Sequence, residues 1–75
     1  MPKLARMSGE QAIRAFERLG FVRVRQRGSH VILRKETPEG PLGCVLPLHR
    51  VVAVGTLRSA LRQARMPVDE FMAVL

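Results

Sequence analysis

The apolar residues of this chain change their spacing twice, and that change limits the folds open to it. Ala12, Ile13, Phe16 and Leu19 recur at helical spacing, with Glu10, Arg14, Glu17 and Arg18 between them. From Phe21 the period drops to two, Val22 and Val24 alternating with Arg23 and Arg25. Helical spacing returns with Leu57, Ala60, Leu61 and Ala64, opposite a stripe of Arg58, Arg62 and Arg65. A chain that begins helical, becomes extended and ends helical is neither all-α nor all-β. Its 75 residues hold one domain with one small core.

Local signals mark the boundaries. Ser8 is placed to cap the first helix, with Gln11 answering it in a capping box, and Gly20 suits the left-handed residue that ends it. Phe21–Gln26 reads as a strand half buried and half basic. Arg27-Gly28-Ser29 supplies a turn, and His30–Lys35 is the hairpin partner. Thr37-Pro38-Glu39-Gly40 is a second turn, Leu42–Leu46 a third strand, and residues 47–55 a longer connection. Thr56 is expected to cap the second helix, while Pro67, Asp69 and Glu70 suit the start of a short third one. The expected architecture is α+β, ordered α-β-β-β-α with a short C-terminal helix. The helices pack on one face of a three-stranded antiparallel sheet. Residues 1–75 form the single domain, with 1–7 a flexible N-terminal segment. Strand alternation puts Arg23, Arg25, His30, Ile32 and Arg34 on the open sheet face.

Composition narrows the chemistry. Thirteen Lys and Arg stand against six acids, a net charge of +7, and residues 1–35 carry all of the excess. Such a field attracts polyanions, nucleic acid first among them. With no Trp or Tyr and three Phe on apolar periodicities, base stacking on aromatic platforms is disfavoured. Glycine-rich nucleotide motifs are absent, and two His with one Cys show no metal-site spacing, so neither cofactor nor metal is expected. No apolar run reaches the roughly 20 residues of a membrane helix. A single cysteine and the lack of an apolar leader fit a cytoplasmic protein.

His30 is the residue placed for chemistry. It follows Gly28-Ser29, a turn that lets a polyanion approach the backbone, and Arg23, Arg25, Arg27 and Arg34 are near it in sequence or across the hairpin; these residues and Lys35 are the expected RNA contacts. RNA cleavage needs a base to take the proton of a 2′-hydroxyl, and a neutral imidazole suits that task. Guanidinium groups stabilise the added negative charge of the phosphorane. DNA lacks the 2′-hydroxyl, which confines this chemistry to RNA. Ser29 is read as positioning His30 or binding a phosphate oxygen. His49, Lys35 or water could protonate the leaving 5′-oxygen, although for His49 a loop histidine bonded to backbone is the commoner case. Cys44 reads as a core residue.

Several separated stretches resemble the HicA family of toxins, the RNA-cleaving halves of bacterial toxin–antitoxin pairs. They are Leu19-Gly20-Phe21, Val24-Arg25-Gln26-Arg27-Gly28-Ser29-His30, Pro47-Leu48-His49, Gly55-Thr56-Leu57-Arg58-Ser59-Ala60-Leu61-Arg62-Gln63-Ala64 and Val68-Asp69-Glu70-Phe71. The resemblance implies a fold like a double-stranded-RNA-binding domain and an endoribonuclease that cleaves mRNA without a metal. It puts the catalytic histidine on His30 and implies a HicB-like antitoxin partner that masks the site. Many relatives carry a second histidine directly after the first, where this chain has Val31. Val51-Val52-Ala53-Val54 replaces a stretch that is usually polar, and either folds over the core or forms a sticky patch. Arg65 stands where a helix-ending glycine is usual. Two other readings fit the same residues: a module that binds double-stranded RNA without cutting it, and a domain whose arginines meet an acidic protein.

Overall fold

Ser8 opens the first helix by the expected capping box. The Gln11 N–H donates to Ser8 Oγ at 3.1 Å, and the Ser8 N–H donates to Gln11 Oε1 at 2.9 Å. In the computed structural model, which describes residues 4–75, this helix is α1 (Gly9–Arg18), and Ala12, Ile13, Ala15 and Phe16 form its buried stripe. Gly20 ends it at φ +97°, where the Phe21 N–H reaches back to the Phe16 carbonyl at 3.0 Å.

Three strands follow: β1 (Val22–Arg27), β2 (His30–Thr37) and β3 (Gly40–Pro47), one antiparallel sheet in the order β1-β2-β3. Directly opposed residues of an antiparallel ladder share a face. Val31 with Leu46 and Leu33 with Cys44 therefore make one buried floor. Over that floor lie α1, α2 (Val54–Gln63) and the short α3 (Val68–Met72). Phe16 stands at their centre, its ring 5.2 Å from Phe21 and 5.1 Å from Phe71. The α+β layout is the expected one. Among the described residues, no helix is long and apolar enough to cross a membrane.

Three local expectations change. Val22 and Val24 are not the buried half of β1; they are 57% and 50% exposed, and no residue of this edge strand is buried. Leu4 and Met7 belong to the core, and the Val52 N–H donates to the Met7 carbonyl at 2.7 Å, so residues 4–7 are held where a flexible segment was expected. Residues 1–3 lie outside the described residues. The same pairing buries Val52 and brings α2 in early. It begins at Val54 behind Ala53, which gives it no side-chain cap, and Thr56 sits exposed in its first turn. The valine stretch thus divides: Val52 is core, Val54 half-buried and Val51 exposed. At the other end of α2, Arg65 takes φ +51° and the Met66 N–H bonds the Leu61 carbonyl at 2.9 Å. The helix keeps the glycine-type ending with an arginine in it, at a cost of about 1 kcal/mol.

Candidate active site

The β1–β2 turn sets the site. Arg27 pairs with His30 across a two-residue turn, Gly28-Ser29, with Gly28 at φ +57°. A left-handed first position is what a tight hairpin asks of glycine. The Gln26 side-chain amide braces the turn by donating to the Gly28 carbonyl at 2.9 Å. Counting back from Arg27 in regular register would put Arg23 opposite Arg34 on the open face. The ladder instead slips at Val24: Arg25 opposes Ile32, but Arg23 opposes Leu33 and Val22 opposes Arg34. One extra residue turns the first part of β1 over.

Charge explains the slip. Two arginines directly opposed would repel, whereas on the helix side Arg23 meets acids. Its guanidinium lies 2.6 Å from Glu10 and 3.3 Å from Glu17, both on α1. The hydrogen bond from Arg23 above all, with a lesser one from Arg14, holds the Glu10 carboxyl below its ordinary pKa. Arg23 is therefore no part of the open face, contrary to the alternation argument. Lys35, in phase with Val31 and Leu33, also lies on the helix side. Its Nζ donates to the Leu19 carbonyl at 2.8 Å, closing the C-terminal end of α1, and lies 5.9 Å from the Phe21 ring centroid. Neither residue lies on the open face beside His30.

What remains beside His30 on that face is Arg25, Arg27, Ile32 and Arg34, with Arg34 paired to Glu36 at 2.6 Å. His30 is exposed, as are Gly28 and Ser29. A Cβ at Gly28 would meet nothing within 4 Å, so the turn is open to a ligand. Val22, Val24 and Val45 complete the face, an apolar strip that the alternation argument missed because it ran β1 without a bulge. The cue was present in Arg23 and Arg34, whose regular register would have made a like-charge pair.

The second histidine comes to the same end of the sheet. His30 pairs with Pro47, and the Leu48 N–H donates to the Ser29 carbonyl at 2.6 Å. His49, the next residue, accepts from the Gly9 N–H through its own carbonyl at 2.9 Å and keeps an exposed side chain. Backbone bonds thus tie the 47–49 loop to both the histidine turn and the start of α1. Val31, by contrast, faces the core at 1% exposure. A histidine at that position would point away from the face His30 occupies, so its replacement by valine removes nothing from that face. Cys44 sits on the buried floor, and burial pushes its thiol up to about 12, which leaves no thiolate for nucleophilic work near neutrality. Among the described residues, no three His, Cys, Asp or Glu side chains cluster in a way that could hold a metal ion.

Fold and site together define a small basic α-β-β-β-α domain with an exposed histidine among arginines at one end of its sheet. A sequence model described as the HicA toxin of bacterial toxin–antitoxin systems matches residues 9–66, from the first residue of α1 to the residue after the left-handed Arg65. The chain belongs to the HicA toxin family. No curated protein sequence matches it.

Proposed function

We propose that this protein is the toxin of a toxin–antitoxin pair and cleaves mRNA as a metal-independent endoribonuclease, with His30 as the general base. The observation that carries the reading is His30 itself, exposed beside Arg25 and Arg27 at an open turn in a chain of the HicA family. Neutral imidazole takes the 2′-hydroxyl proton, and the freed oxygen attacks the adjacent phosphorus. Arg25 and Arg27 offset the charge that builds on the phosphorane oxygens. The bond to the 5′-oxygen then breaks as that oxygen gains a proton, leaving a 2′,3′-cyclic phosphate and a 5′-hydroxyl. His49 is the candidate acid, because the loop that carries it is bonded to the histidine turn. Gly28 and Ser29 offer the turn backbone and a hydroxyl to a phosphate, and Arg34 adds charge at the far side of Ile32. The partner that controls the activity is a HicB-like antitoxin covering this face, and the working compartment is the cytoplasm.

The test is cleavage of a mixed-sequence RNA in EDTA by the parent and by His30→Ala. The parent should cut to 2′,3′-cyclic phosphate ends, and the variant should lose about a hundredfold or more with its melting temperature unchanged. Equal cleavage by both would remove His30 from the role of base. Binding without cutting by the parent would make the protein an RNA-binding module.

A further inference from the structure

Away from the histidine face, the segment 4–7 and the outer edge of α1 enclose a groove of about 380 Å³. Its walls carry three guanidinium groups, Arg6, Arg14 and Arg18, with Gln11 and Met7 between them. Ala5 and Leu75, the last residue, complete the lining, and among the described residues no acidic side chain joins them. Glu10 reaches Arg14 at 3.4 Å but holds Arg23 more closely, at 2.6 Å on the far side. Arg18 gives one N–H to the Val74 carbonyl at 2.9 Å, which leaves other donors of the same fork uncommitted by that bond.

Among its side chains the groove offers many donors and few acceptors. Its one side-chain acceptor oxygen, Gln11 Oε1, already receives the Ser8 N–H. A protein segment laid here would bring backbone N–H groups that need acceptors. A phosphodiester strand brings acceptors alone, and planar guanidinium forks suit it. Arg14 and Arg18 stand one helical turn apart on the same edge, with Arg6 on the segment across from them. Gly9 at the head of α1 is bonded to the His49 carbonyl, so the helix that walls the groove begins beside the 47–49 loop.

We propose that this groove is a second RNA-backbone site, holding phosphates that flank the scissile bond on the face opposite His30. The proposal rests on the ribonuclease reading for its substrate, and binding and cleavage separate the two. The probe for binding is a 2′-O-methyl oligonucleotide of about 16 nucleotides, which cannot be cut, titrated by anisotropy across a salt series. Arg6→Gln/Arg14→Gln is compared with the parent and with Arg58→Gln/Arg62→Gln, a control on α2 with the same charge change. Arg18 is left in place because it ties down Val74. The groove variant should bind roughly tenfold more weakly and lose about 1.4 from the slope of log affinity against log salt, while the control loses less. Equal binding by variant and parent would overturn the groove, and so would an equal loss in the control. Cleavage then sharpens the result. KM for an RNA of about 16 nucleotides should rise in the groove variant, while an RNA of about four is cut as by the parent. A rise in KM for both lengths would also overturn it. A parent that cuts neither RNA would defeat the ribonuclease reading while the binding result still decides the groove.

Discussion

The two faces of the β-sheet are built from the same three strands and follow different logic. On the helix side Val31, Leu33 and Leu46 are at most 1% exposed, and Cys44 is 3%. On the open side Val22, Val24 and Val45 remain 40–57% exposed among arginines. Packing dictates the first face, because each apolar side chain there has a helix to meet. Nothing among the described residues covers the second, so its residues are free to be chosen for what they bind. The contrast teaches where function can sit in so small a domain: on the face that stability does not need.

The sharpest way to break that contrast is to truncate one residue on each side. Leu33→Ala removes a fully buried side chain from the floor under Phe16 and should cost about 2–5 kcal/mol. For a domain of this size that can approach the whole stability. Val45→Ala, on the next strand but on the other face, should change stability by no more than about 0.5 kcal/mol. Urea unfolding followed by circular dichroism gives both values. If Val45→Ala costs as much as Leu33→Ala, the open face is part of the core and its availability to RNA is gone.

Legibility in the sequence follows the same division. The helix side could be read directly: the capping box at Ser8, the apolar stripe of α1 and the left-handed ending at Gly20 are local, and local chemistry decides them. The open side could be read only from the turn outward. Arg25 and His30 fall where alternation puts them because no irregularity lies between them and Gly28-Ser29. Arg23 lies beyond the bulge at Val24, where the acids of α1 draw it over, and alternation along a strand does not contain α1. The start of α2 escaped for a related reason, since the partner that buries Val52 is Met7, far away in sequence.

A smaller effect, confined to function, distinguishes Arg25 and Arg27, on the open face beside His30, from Lys35 on the helix side. Replacing Arg25 or Arg27 with Gln should reduce kcat/KM for RNA about ten- to a hundredfold, the worth of a charge-assisted hydrogen bond of about 1.5–3 kcal/mol. Stability should stay within about 0.5 kcal/mol of the parent, because neither side chain is buried. Lys35→Gln should do the reverse, loosening the end of α1 with little effect on cleavage of a short RNA. Were Lys35→Gln to abolish cleavage without unfolding the protein, the ammonium group would belong to the chemistry despite its bond to Leu19.

The smallest effect belongs to Arg23, and pH isolates it. Its two ion pairs are more than a third exposed, at 38–41% of each side chain, so together they contribute less than about 1 kcal/mol. The sign follows from Glu10, whose carboxyl is held below the ordinary 4.5 mainly by the hydrogen bond from Arg23. A carboxyl with a depressed folded-state pKa adds stability that is present above the unfolded-state value and disappears as pH falls through the folded-state value. Arg23→Gln should therefore be slightly less stable than the parent at pH 7, and the gap should close as pH falls below about 4.5. Added salt should narrow it at neutral pH in the same way. A gap that persisted at low pH and high salt would mean that Arg23 supports the bulge through the packing of its stem rather than its charge. The turning over of β1 would then be set by the shape of α1, and the like-charge argument for the register slip would fail.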